Sequence, residues 1–188
     1  NDGVHIAGAQ TATLTITNVS QADATNGAYT VEVTGVDGTL TSDAATLTVI
    51  DPPVITGQPV GRTNNAATVA TFAVTVTGTA PFSYQWRRNG SPLTDGGRVS
   101  GATSATLTLS GVLNADEGSY SIQATNPAGS VVSSDALLVV IDPVINTQPV
   151  SRTNNAGTLA TFSVSAAGTA LTYQWKRNGI NVSDGGIV

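Results

Sequence analysis

Cysteine and methionine are both absent from the 188 residues, histidine occurs once, at His5, and charged side chains make up 10% of the chain. Without cysteine there is no disulfide framework, no thiolate metal site and no cysteine nucleophile. Without methionine the chain reads as a processed product, a fragment or an excerpt of a longer polypeptide. One histidine assembles neither a histidine metal cluster nor a Ser-His-Asp relay with an obvious partner. Lys and Arg number seven against twelve Asp and Glu, for a net charge of −5. The basic pairs Arg87–Arg88 and Lys176–Arg177 each lie beside a turn, so the clustered cations of a phosphate-binding surface are missing and no nucleic-acid partner is expected. The longest apolar run, Ala136 to Ile141, is far short of the roughly 18 residues needed to span a bilayer. No amphipathic helical stripe and no signal peptide stand out, so no membrane insertion is expected. Low charge does not make the chain disordered, because 40% of it is apolar and disorder goes with low hydrophobicity and high net charge. A folded, soluble protein is the reading.

What is present is a repeat with a period of about ninety residues. Ile50-Asp51-Pro52-Pro53-Val54-Ile55 returns as Ile141-Asp142-Pro143-Val144-Ile145. Gln58-Pro59-Val60 returns as Gln148-Pro149-Val150, each followed by Arg-Thr-Asn-Asn-Ala from Arg62 and Arg152. Tyr84-Gln85-Trp86-Arg87-Arg88-Asn89-Gly90 returns as Tyr173-Gln174-Trp175-Lys176-Arg177-Asn178-Gly179. Thr13-Leu14-Thr15-Ile16 matches Thr106-Leu107-Thr108-Leu109, and Tyr29 matches Tyr120. Residues 51–141 therefore form one complete unit. Residues 1–50 match its second half, and residues 142–188 match its first half, to be completed by the 1–50 half of a next unit.

Alternation with a period of two runs through the units and predicts strands. Phe72, Val74 and Val76 alternate with Ala73, Thr75 and Thr77; Leu107 and Leu109 alternate with Thr106 and Thr108. Val31 with Val33, and Leu47 with Val49, repeat the pattern. Glycine and Pro/Asn/Asp clusters break the runs at sandwich spacing, and nothing predicts a helix longer than a turn. Asn89-Gly90 and Asn178-Gly179 read as type I′ hairpin turns, whose two central residues need positive φ. Pro59 and Pro149 are expected early in their first strands, on an edge that tolerates a missing N–H.

These motifs together resemble the immunoglobulin superfamily, and the intermediate-set-like, cysteine-free repeats found in tandem in bacterial secreted and surface proteins in particular. The resemblance implies an all-β fold: tandem immunoglobulin-like β-sandwiches of Greek-key topology without a disulfide. It places residues 1–50 as strands D/E, F and G of one domain, and residues 142–188 as strands A, B and C of another. Trp86 matches the buried strand-C tryptophan, with Trp175 its counterpart. The run Leu107-x-Leu109-x-x-Val112-x-x-x-Asp116-x-Gly118-x-Tyr120 matches the corner that carries the family's tyrosine, Tyr120 here and Tyr29 in the first copy. The positions of the family's two cysteines hold Val74 and Ile122, and in the split copies Val164 and Val31. These eight side chains are the expected structural core. A bridge closing the roughly 48-residue loop would stabilise by about 3–4 kcal/mol in the loop-entropy picture; here the apolar core carries that burden. In the first copy, Asp23 and Gly27 flank two residues more than Asp116 and Gly118, which predicts a looser corner around Tyr29.

No catalytic constellation emerges, and no cofactor is expected. His5 matches Arg98, which the resemblance places against the corner aspartate, Asp116 or Asp23. Asp116 and Glu117 belong to the corner, while Asp95 and Asp184 lie in glycine-rich loops. Asp51 and Asp142 sit at the unit junctions, yet one carboxylate per junction falls well short of the about six to eight oxygens that calcium takes. Asn18 and Asn181 head Asn-x-Ser sequons in predicted loops.

At the junctions the last strand passes through Asp-Pro into the next first strand with no Gly/Ser linker, which predicts a semi-rigid joint. Tandem sandwiches joined so would form a rod at roughly 40 Å per domain. Split halves would expose apolar faces and open edges that seek partners. Either the 188 residues are one period of a long continuous chain, or separate subunits complete one another head to tail. The expected role is structural, in an extracellular fibre, stalk or surface filament whose partners are identical copies. The alternative is an adhesin or carbohydrate-binding module with a glycan or other cell-surface ligand, although two Trp, four Tyr and three Phe leave few aromatics for stacking. An enzyme is not expected.

Overall fold

The structure is a computed structural model that describes residues 5–24 and 28–185. The fold is all-β and immunoglobulin-like. Two short helical turns, Gln21–Ala24 and the 3-10 turn Asn114–Asp116, are the helical segments among the described residues. The backbone divides into two compact units. One holds residues 1–54 with the segments 76–82 and 124–131. The other holds residues 55–75, 83–123 and 132–188.

Residues 62–141 carry the sandwich core. One sheet runs Ser91–Pro92, Ser83–Arg88, Gly118–Asn126, Ala136–Ile141, Arg62–Asn65, with Gly129–Val132 also paired to Gly118–Asn126. The facing sheet runs Val99–Ser100, Thr106–Leu109, Ala70–Ala73. Alternation drives each inner face: in Ala136–Ile141 the odd members Ala136, Leu138 and Val140 are buried while Leu137, Val139 and Ile141 face out. A continuous apolar run in sequence is thus a half-buried strand. Trp86, Tyr120, Phe72, Leu107, Ile122, Leu138 and Val112 are fully buried between the sheets. Burying side chains of this size contributes roughly 1.5–3 kcal/mol each.

The first strand departs from expectation. It is two strands, Val54–Gly57 and Arg62–Asn65, and Pro59 sits in the interruption rather than on an edge. Proline offers no N–H to a ladder, so the chain leaves its pairing with Thr75–Thr77 and joins Ala136–Ile141 in parallel, Arg62 opposite Leu138 and Asn65 opposite Ile141. Gln58 fixes the crossing, its Oε1 accepting from the Ser134 N–H at 2.9 Å. Pro149 likewise follows the Val144–Thr147 strand.

Both Asn-Gly turns take the expected form. Asn89 and Gly90 have φ of 49° and 82°, and Asn178 and Gly179 have 46° and 82°. They close the Arg88–Ser91 and Arg177–Ile180 pairs.

The half-copies are sparser. Residues 5–50 form three small antiparallel pairs: Ile6–Ala7 with Thr15–Ile16, Ala28–Tyr29 with Ala45–Thr46, and Glu32–Gly35 with Gly38–Thr41. Residues 144–185 form two: Val144–Thr147 with Ser165–Ala167, and Lys176–Arg177 with Ile180–Asn181. Their registers repeat those of the complete copy, as in Tyr29 opposite Ala45 and Tyr120 opposite Ala136.

Candidate functional site

Among the described residues the side-chain geometry of interest lies in the corners, the joints and two apolar faces. Among the described residues no three His, Asp or Glu side chains group to hold a metal ion. No helix there is long and apolar enough to cross a membrane.

In the complete copy the expected core residues are buried. Trp86 is fully enclosed, and its indole N–H donates to Ser104 O at 2.9 Å. Val74 and Ile122, standing where the family's cysteines fall, are both buried. Tyr120 stacks on Phe72 at 4.8 Å between ring centroids, and Phe72 lies 6.2 Å from Trp86. Burial pushes the Tyr120 phenol pKa up. Its hydroxyl donates to Asp116 O at 2.7 Å, closing the corner. The Asp116 carboxylate takes Arg98 at 2.7 and 3.2 Å and the Leu113 N–H at 2.8 Å. Glu117, read only as part of the corner, accepts the Val140 N–H at 2.7 Å.

The first copy builds the same corner from different side chains. His5 Nε2 stands 2.7 Å from Asp23 Oδ1, where Arg98 stands in the complete copy. The Ser20 N–H and hydroxyl donate to Asp23 Oδ2 at 2.7 and 2.9 Å. The His5 hydrogen bond, then those from Ser20, hold the Asp23 carboxyl below its ordinary pKa. Tyr29 donates to Asp23 O at 2.7 Å, the length found at Tyr120. The accepting carbonyl precedes the insertion, so the bond spans six residues rather than four and keeps its geometry. The inserted Thr25 and Asn26 fall outside the described residues.

The joints reveal residues that the sequence pattern did not single out. At the first, Asp51 and Thr79 exchange bonds: the Asp51 N–H donates to Thr79 Oγ1 at 2.9 Å and the Thr79 N–H to Asp51 O at 3.2 Å. The Asn126 amide clasps both, donating to Asp51 O at 2.7 Å and Thr79 O at 2.9 Å. From the corner of the preceding copy, Gln21 Nε2 donates to Val49 O at 2.9 Å and Asp51 Oδ2 at 3.0 Å. At the second joint the same residue pair meets through other atoms. Asp142 accepts the Thr169 hydroxyl at 2.7 Å and the Thr169 N–H at 3.0 Å. These bonds, Thr169 Oγ1 foremost, hold the Asp142 carboxyl below its ordinary pKa, with the Asn114 N–H adding to them. Gln21 and Asn114 occupy matching corner positions. The signal was available in Gly78-Thr79-Ala80 returning as Gly168-Thr169-Ala170. Both junction carboxylates accept hydrogen bonds from protein donors, Asp51 from Gln21 and Asp142 from Thr169.

The remaining expected core residues are not buried in the single chain. Trp175 is 43% exposed and Val31 47% exposed, while Val164 and Tyr29 are intermediate. Each matches by sequence a position that is buried in the complete copy: Trp86, Ile122, Val74 and Tyr120. Trp175 nevertheless keeps its neighbour: Phe162 lies 6.4 Å away at 46°, close to the 6.2 Å and 45° of Phe72 and Trp86. Beside Trp175 an open cleft of about 350 Å³ is lined by Pro143, Ile145, Pro149, Val164 and Leu171 among others. The sequon residues Asn18 and Asn181 are both exposed, Asn181 on a short strand rather than in a loop.

A family model, the immunoglobulin I-set domain, matches residues 53–140. Among curated proteins, Roundabout homolog 1 of Mus musculus is 32% identical over 187 residues, covering 91% of this chain and 11% of that protein. Hemicentin-1 of Homo sapiens is 31% identical over 137 residues, covering 72% of this chain and 2% of that protein. The chain thus spans about a tenth or less of the length of these relatives, which are cell-surface or extracellular proteins. Among solved structures, extracellular domains 3–5 of Drosophila OTK superpose with a TM-score of 0.56 at 26% identity, covering 74% of this chain and 47% of that one.

Proposed function

The chain carries an immunoglobulin I-set domain and belongs to the immunoglobulin superfamily; on that premise we propose that it is a structural element of an extracellular fibre, stalk or surface filament. In this reading residues 51–141 are a complete domain, residues 1–50 close one domain and residues 142–188 open another. The observation that carries it is the joint. The Ala136–Ile141 strand passes through two residues, Asp142 and Pro143, into the Val144–Thr147 strand, and the Asp-Thr bonds tie the connection to the following copy. A joint so short and so bonded resists bending, and stiffness is what a stalk needs. The extracellular relatives support the same setting. Electron microscopy of the native material tests it: fibres with an axial repeat of roughly 80 Å, two domains of about 40 Å each, are expected. Globular particles without axial order would overturn it.

A second reading draws on one observation. Tyr173, Trp175 and Phe162 are exposed together, and aromatic rings are the platforms on which glycans stack. An adhesin or carbohydrate-binding module would give specific micromolar binding on a glycan array, lost in Tyr173→Ala.

A further inference from the structure

We propose that the outer face of the Ala136–Ile141 strand is a self-association surface, on which a second copy of the same chain packs side by side through the like face. This rests on the fibre reading and adds what lies beside the rod. It starts from two copies of the repeat at positions that both copies hold. Ala45-Thr46-Leu47-Thr48-Val49-Ile50 matches Ala136-Leu137-Leu138-Val139-Val140-Ile141, and Gly38-Thr39-Leu40-Thr41 matches Gly129-Ser130-Val131-Val132. The register agrees, with Tyr29 opposite Ala45 and Tyr120 opposite Ala136. Inward positions stay apolar in both copies, at Leu47 and Leu138 and at Val49 and Val140. Outward positions change. Thr41, Thr46 and Thr48, all exposed, give way to Val132, Leu137 and Val139, which are 56%, 55% and 39% exposed. Threonine serves a strand well, so folding does not ask for the change. A single exposed apolar residue would need no explanation, but three changes of one kind, continued by exposed Ile141, make a stripe.

The surroundings of the stripe select its occupant. On one side Thr63 lies opposite Val139 and Asn65 opposite Ile141; on the other Ser119 lies opposite Leu137. These flanks are uncharged. Charged groups close by are already engaged: Arg87 donates to Gln123 at 3.0 Å, and Glu117 accepts the Val140 N–H at 2.7 Å. Exposed Asp135 stands at the rim, between Val132 and Leu137 in the chain. A polyanion or a strongly charged protein gains little from such a border. Trp86, Tyr120 and Phe72 are enclosed in the core, so they offer sugars no stacking platform on this face. A flat apolar face with a neutral border is matched by another of its kind, in a contact where each copy presents the same residues. Size points the same way. The stripe covers on the order of a few hundred Å², against about 800 Å² per partner in a standard interface. One globular partner would gain only a fleeting contact. A second rod offers the stripe again with each period, so weak contacts add along its length.

Backbone amide shifts of the 188-residue chain, followed by nuclear magnetic resonance from dilute solution to about 1 mM, test this in the range where so small a contact binds. Concentration-dependent shifts are expected at Thr63, Ser119, Val132 and residues 137–141. Combining Val132→Thr, Leu137→Thr and Val139→Thr gives this face the chemistry of the first copy and should abolish them. Circular dichroism shows whether that triple variant keeps the sandwich. Should it not, Thr63→Lys provides the test: at the exposed border it sets like charges across the contact and should weaken association at least about fivefold. Shifts that stay fixed in wild type up to that concentration would overturn the proposal. So would moving shifts that cluster elsewhere on the chain, or shifts that survive the triple variant or its Thr63→Lys substitute. The fibre reading is judged separately, on the images of native material.

Discussion

Residues 70–73 read Ala-Thr-Phe-Ala and residues 160–163 read Ala-Thr-Phe-Ser. The first stretch is a strand paired to Thr106–Leu109, with Phe72 1% exposed. The second is no strand, and Phe162 is 52% exposed. Nearly identical letters take different structures because a strand is defined by its neighbour. Local bonds behave otherwise. Asn64 Nδ2 donates to Thr68 Oγ1 at 2.9 Å, and Asn154 Nδ2 to Thr158 Oγ1 at 3.0 Å. Gln85 bridges Trp86 O and Leu93 O as Gln174 bridges Trp175 O and Val182 O. Contacts within about ten residues form in every copy, and contacts between halves form only where both halves are present.

Matched substitutions break this comparison most visibly at the tryptophans. Trp86→Ala should destabilise the chain by about 3–5 kcal/mol, whereas Trp175→Ala in dilute monomer should cost under about 1 kcal/mol. Urea unfolding followed by circular dichroism gives both values; equal losses would refute the distinction. The tyrosine corners come next. Tyr120→Phe should cost about 1 kcal/mol for a partly buried hydrogen bond, and Tyr29→Phe measurably less, since its ring is not enclosed.

The smallest effects concern pH. Asp23 and Asp142 titrate below their ordinary values when folded, so the unfolded chain takes up their protons at higher pH than the native one. Their stabilisation is therefore present above the ordinary carboxylate range and lost as pH falls through the depressed folded values. His5→Ala should move the Asp23 carboxyl back towards its ordinary value, and Thr169→Ala should do the same for Asp142. Carboxyl carbon shifts followed by nuclear magnetic resonance would detect each, and an unmoved titration would show that the named donor is not the cause.

Much of this was legible in the sequence because it depends on short-range chemistry. Asn89-Gly90 and Asn178-Gly179 specify their turns through the positive φ that both positions need. The inward positions Phe72, Val74, Leu107 and Leu109 follow from alternation, Tyr120 and Ile122 from the resemblance to the family's corner and cysteine positions, and His5 was placed against Asp23 by its match to Arg98. What escaped depends on the partner across space. Thr79, Asn126 and Gln21 are ordinary polar residues by composition and gain meaning only where Asp51 meets them. Pro59 marked an edge but not the change of pairing it causes, since that depends on where Ala136–Ile141 lies. Trp175 and Val31 match core positions of the complete copy by sequence, yet they stand 43% and 47% exposed.

The central claim is that the complete copy of the repeat carries its own buried core while residues 28–50 and 152–183 are held by small strand pairs and local bonds. Amide hydrogen exchange on the 188-residue chain tests it directly. The account predicts slow exchange in the paired strands of residues 62–141 and fast exchange in residues 28–50 and 152–183. Equal protection of all three regions would contradict it.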